Sequence, residues 1–199
     1  MVILALIALL IGTLAGMLAP GSGMLAVLTN ATDIYLVVLM VLVGITIGFN
    51  EGIVGKLKRH TLHIIVVPTC IIVATILGGV VCSFISGYPM NISTAIAAGL
   101  GWYSLSGVTM TNLVGAQIGT ITFMSSLMRE IFSFMTIPFI SRYLNYSSAI
   151  APAAATSEDT TLGMMIKYTD AEHVVVSLLN GTLISAAVPF LIPLCLAVF

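Results

Sequence analysis

The sequence predicts an all-α membrane protein, a polytopic helix bundle with discontinuous or re-entrant helices. Of its 199 residues, 59% are hydrophobic and only 7% are charged, whereas soluble domains are roughly 25% charged. Two stretches rich in glycine and hydroxyls, 92–115 and 151–163, interrupt the apolar runs. Such stretches are stable at membrane depth only where they are buried in protein or line a water-filled cavity. We therefore expect one transmembrane transport domain over residues 1–199, with no soluble domain.

Composition argues against several classes of function. With a net charge of −1 and six Lys and Arg residues, the chain lacks the basic face that a nucleic-acid partner requires. The cysteines have no CxxC spacing, and His60 and His63 have no nearby acid or thiol, so we expect no metal site and no cofactor. The absence of a glycine-rich phosphate loop with lysine argues against ATP-driven transport.

The N-terminal part predicts two membrane helices followed by a basic loop. Val2–Ala19 is apolar and about long enough to cross a bilayer, and Asp33–Phe49 is the second apolar segment. The next segment, Asn50–His60, contains half of the positive charge of the chain, as Lys56, Lys58 and Arg59. Short basic loops remain in the cytoplasm, so we expect this loop and the N-terminus on the cytoplasmic side.

A third helix, Thr61–Ile85, precedes the glycine-rich stretch 92–115. A continuous helix would lose about 1 kcal/mol at each interior glycine, a cost that two half-helices meeting near Gly101–Gly107 would avoid. Discontinuous transporter helices hold substrates and ions with such unwound backbone. The alternative is one continuous helix with a glycine-lined packing face.

The next helix, Gln117–Ile140, has a polar stripe with Arg129 and Glu130 near its centre. A single ion at the bilayer centre costs about 2.5–3.5 kcal/mol even on insertion scales, so accidental placement is improbable. Adjacent residues point about 100° apart on a helix, so we expect Arg129 to pair with Asp159 or Glu158 rather than with Glu130. The alternative is a buried ion pair that only fixes helix packing.

Ala151–Gly163 places Glu158 and Asp159 among small residues and hydroxyls, including Thr156 and Ser157. We expect a broken or re-entrant element that carries a cation site; the alternative is a solvated loop. Met164–Glu172 is interpreted as an interfacial connection. The last predicted helix is Val174–Phe199.

An enzyme is not expected. Ser106 and His173 resemble the dyad of an intramembrane protease, but Ser104 stands where that motif needs glycine. The acids near Arg129 outnumber it and favour a cationic substrate, and Asp159 could bind a proton and an ammonium group alternately. A carrier or channel for an inorganic cation is the alternative.

Three motifs resemble the LysO lysine exporters, inner-membrane proteins of bacteria and archaea that export L-lysine. They are GLGWYSLSG at Gly99–Gly107, the pair Arg129 and Glu130, and ATSEDTTL at Ala155–Leu162. The resemblance implies that Arg129 and Glu130 belong to a core network and that Asp159 is the essential acid. It also implies a transport path lined by Trp102, Tyr103, Ser104 and Ser106.

The chain departs from the family pattern at three points. Glu158 adds a second carboxylate where relatives commonly have methionine, and Gly163 replaces a usual proline. Longer relatives begin with an extra membrane module of about a hundred residues. The chain is therefore expected to form a homodimer or to need a separately encoded small membrane subunit. A further alternative is that the chain is itself a non-transporting subunit that completes another transporter.

Overall fold

A computed structural model describes residues 61–199 and, nearer the N-terminus, residues 7, 11, 12, 14–18, 34, 38, 41 and 45. These N-terminal positions are helical and fall within the predicted helices Val2–Ala19 and Asp33–Phe49. The predicted basic loop lies outside the described residues. The chain forms two compact units, Met1–Thr46 and Ile47–Phe199. The helices of residues 61–199 belong to the second unit. One transport domain over 1–199 stays a prediction.

Residues 61–199 form helices joined by short turns, which confirms the predicted all-α class. The elements in order are α1 Thr61–Ser86, α2 Met90–Ala97, α3 Tyr103–Leu113, α4 Ala116–Tyr143, α5 Tyr146–Ala149, a 3₁₀ helix Ala154–Glu158, α6 Leu162–Tyr168 and α7 Ala171–Val198. Helices α1, α4 and α7 correspond to the three long helices predicted for this region. The spans Ile64–Ser86 and Ala171–Val198 are long and apolar enough to cross a membrane.

The glycine-rich stretch forms a hairpin, here hairpin A, made of α2, the break Ala98–Trp102 and α3. Leu100 and Gly101 turn the chain with positive φ values of 49° and 93°, a conformation that only glycine adopts readily. The continuous-helix alternative is therefore wrong. The break also ends earlier than expected, because Gly107 lies within α3.

Hairpin A returns to the end of the bundle from which it starts. Helix α3 runs antiparallel to α4, since Ser106 Oγ lies 3.3 Å from Ser126 Oγ and Thr111 faces Gly119. Leu113 is therefore at the end where α4 begins. Helix α7 starts beside Ser147, just after α4 ends, so the C-terminus of α7 lies at the end where α4 begins. Thr94 of α2 contacts Cys195 near that C-terminus, which places the start of α2 at the same end.

Residues 146–168 form a second hairpin, hairpin B, which confirms that Ala151–Gly163 is a broken element, whereas its cation site stays a prediction. It consists of α5, the unwound segment 150–161 with its 3₁₀ helix, and α6. Tyr146 and Tyr168 line one cleft together, so both arms of hairpin B start from one end. Helix α6 overlaps the first part of Met164–Glu172 and is the returning arm of the hairpin, and the interfacial position of that segment stays a prediction.

The two hairpins enter from opposite ends of the bundle and meet at their tips. Ala155 N donates a hydrogen bond to Leu100 O over 3.1 Å. Hairpin B begins at the end with Arg142 and Lys167, here called the basic end. Hairpin A begins at the neutral end, where residues 86–92, 110–118 and 195–199 have no charged side chain.

Residues 61–115 and 116–170 repeat one arrangement in opposite orientations. Each consists of a long helix followed by a hairpin. Leu100 and Ala154, the non-glycine residues with positive φ in the described region, are at equivalent positions of the two repeats. Thr75 and Arg129 have the same separation of 54 residues, and they contact each other. This is the inverted-topology repeat found in many secondary transporters.

Candidate functional site

The 3₁₀ helix at the tip of hairpin B is held by the middle of α7. Ser157 Oγ donates to Ser177 O over 2.8 Å, and Ser177 Oγ donates to Ser157 O over 2.9 Å. Asn180 Nδ2 donates to Ala154 O over 3.1 Å and to Ser157 Oγ over 3.0 Å. These bonds satisfy backbone groups that the unwound chain would otherwise leave without partners. Ser157 therefore anchors the hairpin.

Glu158 ends the 3₁₀ helix and packs against α7. Thr182 Oγ1 donates to Glu158 Oε2 over 2.6 Å, and Ser185 Oγ donates to Glu158 Oε1 over 2.8 Å. Gly181 permits this approach, because a Cβ added there would lie 2.5 Å from Glu158 N. The carboxyl group is thus bound to two hydroxyls of α7 and does not contact Arg129.

The surroundings of Glu158 accommodate a proton. Thr182 Oγ1 has one hydrogen but two acceptors, Glu158 Oε2 and Leu178 O at 2.9 Å. If Glu158 carries the proton, its carboxyl donates to Thr182 Oγ1, which then donates to Leu178 O. Glu158 itself makes two hydrogen bonds in either state, and protonation adds the bond from Thr182 Oγ1 to Leu178 O, so the cluster as a whole gains one.

Asp159 lies at the tip of hairpin B, immediately after the 3₁₀ helix. Its side chain is exposed, and its Oδ1 accepts a hydrogen bond from Thr160 N. Asp159 interacts electrostatically with Tyr103 of hairpin A, with Glu130 of α4 and with Glu158. Two carboxyl groups and one phenol, from three elements, are thus close to one accessible carboxylate.

Glu130 is completely buried at the centre of α4. Arg129 and Glu130 are the two central residues of this 28-residue helix. Glu130 is 0% exposed, and neither of its carboxyl oxygens has a hydrogen-bond partner among the described residues. The Thr160 hydroxyl is close but lacks hydrogen-bond geometry, and it is also unpartnered there. A buried carboxylate without partners is strongly unfavourable, so this group needs a proton or a bound cation.

Arg129 does not form the predicted ion pair with Asp159 or Glu158. Its guanidinium donates from Nε to Pro152 O over 3.0 Å and from Nη2 to Ala151 O over 3.1 Å. Nη1 donates to Thr75 Oγ1 over 3.2 Å. The unwound backbone of hairpin B leaves these two carbonyls free of helical hydrogen bonds, and sequence alone could not reveal them as acceptors.

The four predicted path residues of hairpin A have different surroundings. Tyr103 packs its ring against Phe123 at 5.4 Å and faces Glu130 and Asp159 electrostatically. Ser106 is buried, and its Oγ donates to Trp102 O over 2.8 Å. Trp102 is half-buried at the start of α3, and Ser104 is exposed on its first turn. Only Tyr103 is thereby linked to the acids, and a transport path along all four stays a prediction.

Thr156 and three residues missed by the sequence reasoning complete the surroundings. The Thr156 Oγ1 donates to Ala153 O over 2.9 Å and lies 3.3 Å from Thr161 Oγ1, inside hairpin B. Thr182, Ser185 and Thr75 contact Glu158 or Arg129 but were not predicted site residues. Thr182 and Ser185 are three residues apart on α7, a spacing that could have indicated a common polar face.

The start of α7 carries a separate polar cluster. Asp170 Oδ1 accepts from His173 N over 2.9 Å and lies 2.7 Å from His173 Nδ1, while His173 Nε2 lies 3.2 Å from Ser147 Oγ. Hydrogen bonding from the His173 backbone, followed by that from its ring, lowers the pKa of Asp170. The cluster joins hairpin B to α7 at the basic end. No group of three or more metal-binding side chains occurs in the part of the chain that the structure describes.

Comparison with known proteins identifies the family. The model of the family described as Lysine exporter LysO matches residues 6–196. The chain is 34% identical to the Lysine exporter LysO of Escherichia coli strain K12 over 164 residues, covering 82% of the chain and 54% of that protein. It is 31% identical to a putative lysine exporter of Haemophilus influenzae, covering 82% of the chain and 83% of that protein. No solved structure matches.

The chain thus spans about half the length of the Escherichia coli relative. The match nevertheless extends over both hairpins and over the motifs at Gly99–Gly107, Arg129–Glu130 and Ala155–Leu162. Together with the apolar helices of the bundle, it makes this chain a membrane protein that belongs to the LysO family of lysine exporters.

Proposed function

We propose that the protein is a secondary active exporter of L-lysine and related basic amino acids that exchanges its substrate for protons. The single observation that carries the proposal is Glu130, a carboxyl group at the centre of a long helix, fully buried and without a hydrogen-bond partner in the described region. A carboxyl group in this setting is stable only when it holds a proton or a bound cation. It can therefore exchange one for the other.

The second acid of the exchange is Asp159. It is exposed, lies at the tip of a re-entrant hairpin and interacts electrostatically with Glu130. A lysine ammonium group that reaches Asp159 from the aqueous side would replace the proton held by this pair of acids. The proton would leave on one side of the membrane and be taken up again from the other. An inward proton also cancels the electrical work of moving a monovalent cation outward, about 2.3 kcal/mol per 100 mV.

The names of the relatives and the inverted repeat support a carrier more than a channel. Both matched relatives are named lysine exporters, one of them putatively. Two hairpins of opposite orientation that meet at their tips are suited to alternating access, in which one repeat moves against the other around a central site. Nothing in the described bundle resembles a ring of ion ligands along an open pore.

The distribution of positive charge supports an orientation in the cytoplasmic membrane of a bacterium or archaeon. Arg142 and Lys167 lie at the basic end, and Lys56, Lys58 and Arg59 shortly precede Thr61 in the sequence. Helix α1 begins at this end, because α2 returns antiparallel to it from the neutral end. By the positive-inside rule the basic end is cytoplasmic, and the chain crosses the membrane several times.

The experiment that tests the proposal is transport in proteoliposomes. Purified full-length protein should exchange labelled lysine across the membrane and move protons in the opposite direction, as reported by an internal pH dye. Asp159→Asn and Glu130→Gln should each abolish proton-coupled exchange, because neither amide titrates. Proton-coupled lysine exchange that persists in either variant contradicts the mechanism, and uptake of sodium in place of lysine favours the inorganic cation carrier.

The assembly state is a further part of the proposal. We expect a homodimer or a complex with a separately encoded small membrane subunit. Mass measurement of the intact complex after purification from the native membrane distinguishes these two assemblies. Recovery of activity only when a partner is added would favour the role of a subunit that completes another transporter.

A further inference from the structure

Arg129 is a positive charge at the centre of the bundle without a negative partner among residues 61–199. All three of its hydrogen bonds go to neutral oxygens, those of Pro152, Ala151 and Thr75. Carbonyl dipoles stabilise the charge but do not neutralise it, and an uncompensated charge at this depth is costly. Within residues 61–199 the charge of Arg129 thus remains uncompensated, and an anion bound there would stabilise it.

Two cavities meet at this residue. One, of about 470 Å³, extends from Ser86 and Tyr88 at the neutral end to Gly101 at the hairpin tips. The other, of about 370 Å³, extends toward Leu144 and Ser148 in the half that contains the basic end. The two linings share Thr75 and Arg129 and no other residue. These two side chains, which are hydrogen-bonded to each other, thus lie where the cavities adjoin.

The guanidinium has donors left for an anion. It carries five N–H groups, and the three hydrogen bonds use Nε and one hydrogen on each terminal nitrogen. One N–H therefore remains on Nη1 and one on Nη2. Arginine binds a carboxylate through two such parallel N–H groups, which a single point charge such as lysine cannot do.

We propose that Arg129 binds the α-carboxylate of the transported amino acid as it passes between the two cavities. This inference rests on the proposed function and adds how the substrate is recognised: the protein binds an amino acid by its carboxylate as well as by its ammonium groups. Glu130, the next residue on α4, and Asp159 supply the negative charge for the ammonium end. A basic amino acid then satisfies both signs of charge at the site, which a simple diamine or a metal ion does not.

The test compares molecules that differ from lysine only at the carboxylate. Exchange of labelled lysine in proteoliposomes is measured in competition with unlabelled lysine, lysinamide and 1,5-diaminopentane. The wild-type protein should favour lysine over both analogues by at least tenfold, the order expected for a charged bidentate contact. In Arg129→Gln this preference should fall to within about threefold, and Arg129→Lys should give an intermediate value. Arg142→Gln, a change at the basic end and outside both cavities, should leave the wild-type preference intact.

Each outcome is decisive. A wild-type protein that exchanges lysine but accepts lysinamide equally well overturns the assignment of Arg129, even if no Arg129 variant can be purified. The same conclusion follows if Arg129→Gln lowers exchange of all three compounds by one common factor, since a purely structural role predicts that result. A wild-type protein that exchanges no lysine at all contradicts the proposed function itself.

Discussion

Leu100 and Ala154 share one uncommon backbone conformation, each with φ of 49°, at the tips of two hairpins that enter the bundle from opposite ends. The left-handed region costs a residue with a side chain about 1–2 kcal/mol relative to the right-handed one. Both residues are buried, and Ala155 beside Ala154 donates its N–H to Leu100 O. The contact between the two tips therefore holds both turns in place.

Replacing Ala154 by glycine should be nearly neutral or stabilising. Relief of the left-handed conformation offsets the loss of one buried methyl group, about 0.8 kcal/mol. The matched control is Ala153→Gly, because Ala153 is equally buried but has helical φ of −66° and should lose about 1 kcal/mol. Thermal unfolding of the two variants in one detergent measures the difference. A lower Tm for Ala154→Gly than for Ala153→Gly would contradict the proposed strain.

Gly181→Ala should destabilise the protein by about 1–3 kcal/mol. Its new methyl group would lie 2.5 Å from Glu158 N and 2.6 Å from Glu158 Cβ, so the tip of hairpin B would have to move away from α7. Gly163→Ala is the control, since nothing lies within 4 Å of a Cβ at that position. Unfolding temperatures in detergent should fall for the first variant and remain unchanged for the second. Equal Tm values would mean that hairpin B packs less closely on α7 than the distance of 2.5 Å from Glu158 N implies.

Glu158→Gln should retain lysine exchange within about threefold. The glutamine amide can donate to Thr182 Oγ1 while its oxygen accepts from Ser185, which reproduces the hydrogen bonds of the protonated acid. Glu158→Ala leaves both hydroxyls without that partner and should lower stability by about 1–3 kcal/mol. Proteoliposome exchange and thermal unfolding separate the two effects. Complete loss of exchange in Glu158→Gln would contradict this prediction and would indicate that transport needs an ionisable group at position 158.

The ends of both hairpins should be labelled from defined sides of the membrane. Single cysteines placed at Asn91 and at the exposed Leu113, in a variant without native cysteines, should react with an impermeant reagent added outside the cell. Cysteines at Lys167 and Asp170 should react only after the membrane is opened. Labelling of positions 91 and 113 from opposite sides would mean that hairpin A crosses the membrane.

The stability that the hydrogen bonds between Asp170 and His173 give to the start of α7 should depend on pH. Hydrogen bonding lowers the pKa of Asp170 in the folded protein. The stability that ionised Asp170 contributes is therefore present above the pKa of an unfolded aspartate, about 3.9. It is lost as the pH falls through the lower pKa of the folded state. The difference in Tm between wild type and Asp170→Ala should therefore shrink between pH 7 and pH 3. Asp170→Asn, which keeps the helix cap without the charge, should remove most of this pH dependence. A Tm difference that does not change with pH would contradict this assignment.

The sequence predicts the long helices well but the contacts of the site only in part. Apolar runs and the spacing of the polar stripe place Glu130 at the centre of α4, because helical periodicity is a local property. The partners of Arg129 depend on which carbonyls hairpin B leaves free, and this is decided by its turn at Ala154. Helix α6 was missed because a seven-residue helix is too short to produce a clear periodic pattern.

The inverted repeat gives the protein a second shape at no cost in new structure. If residues 61–115 took on the geometry that residues 116–170 have now, and the reverse, the opposite face of the bundle would be open. Thr75 and Arg129, paired across the repeat axis, would remain neighbours throughout such an exchange. A bound amino acid or proton that favours one of the two shapes would then decide between them.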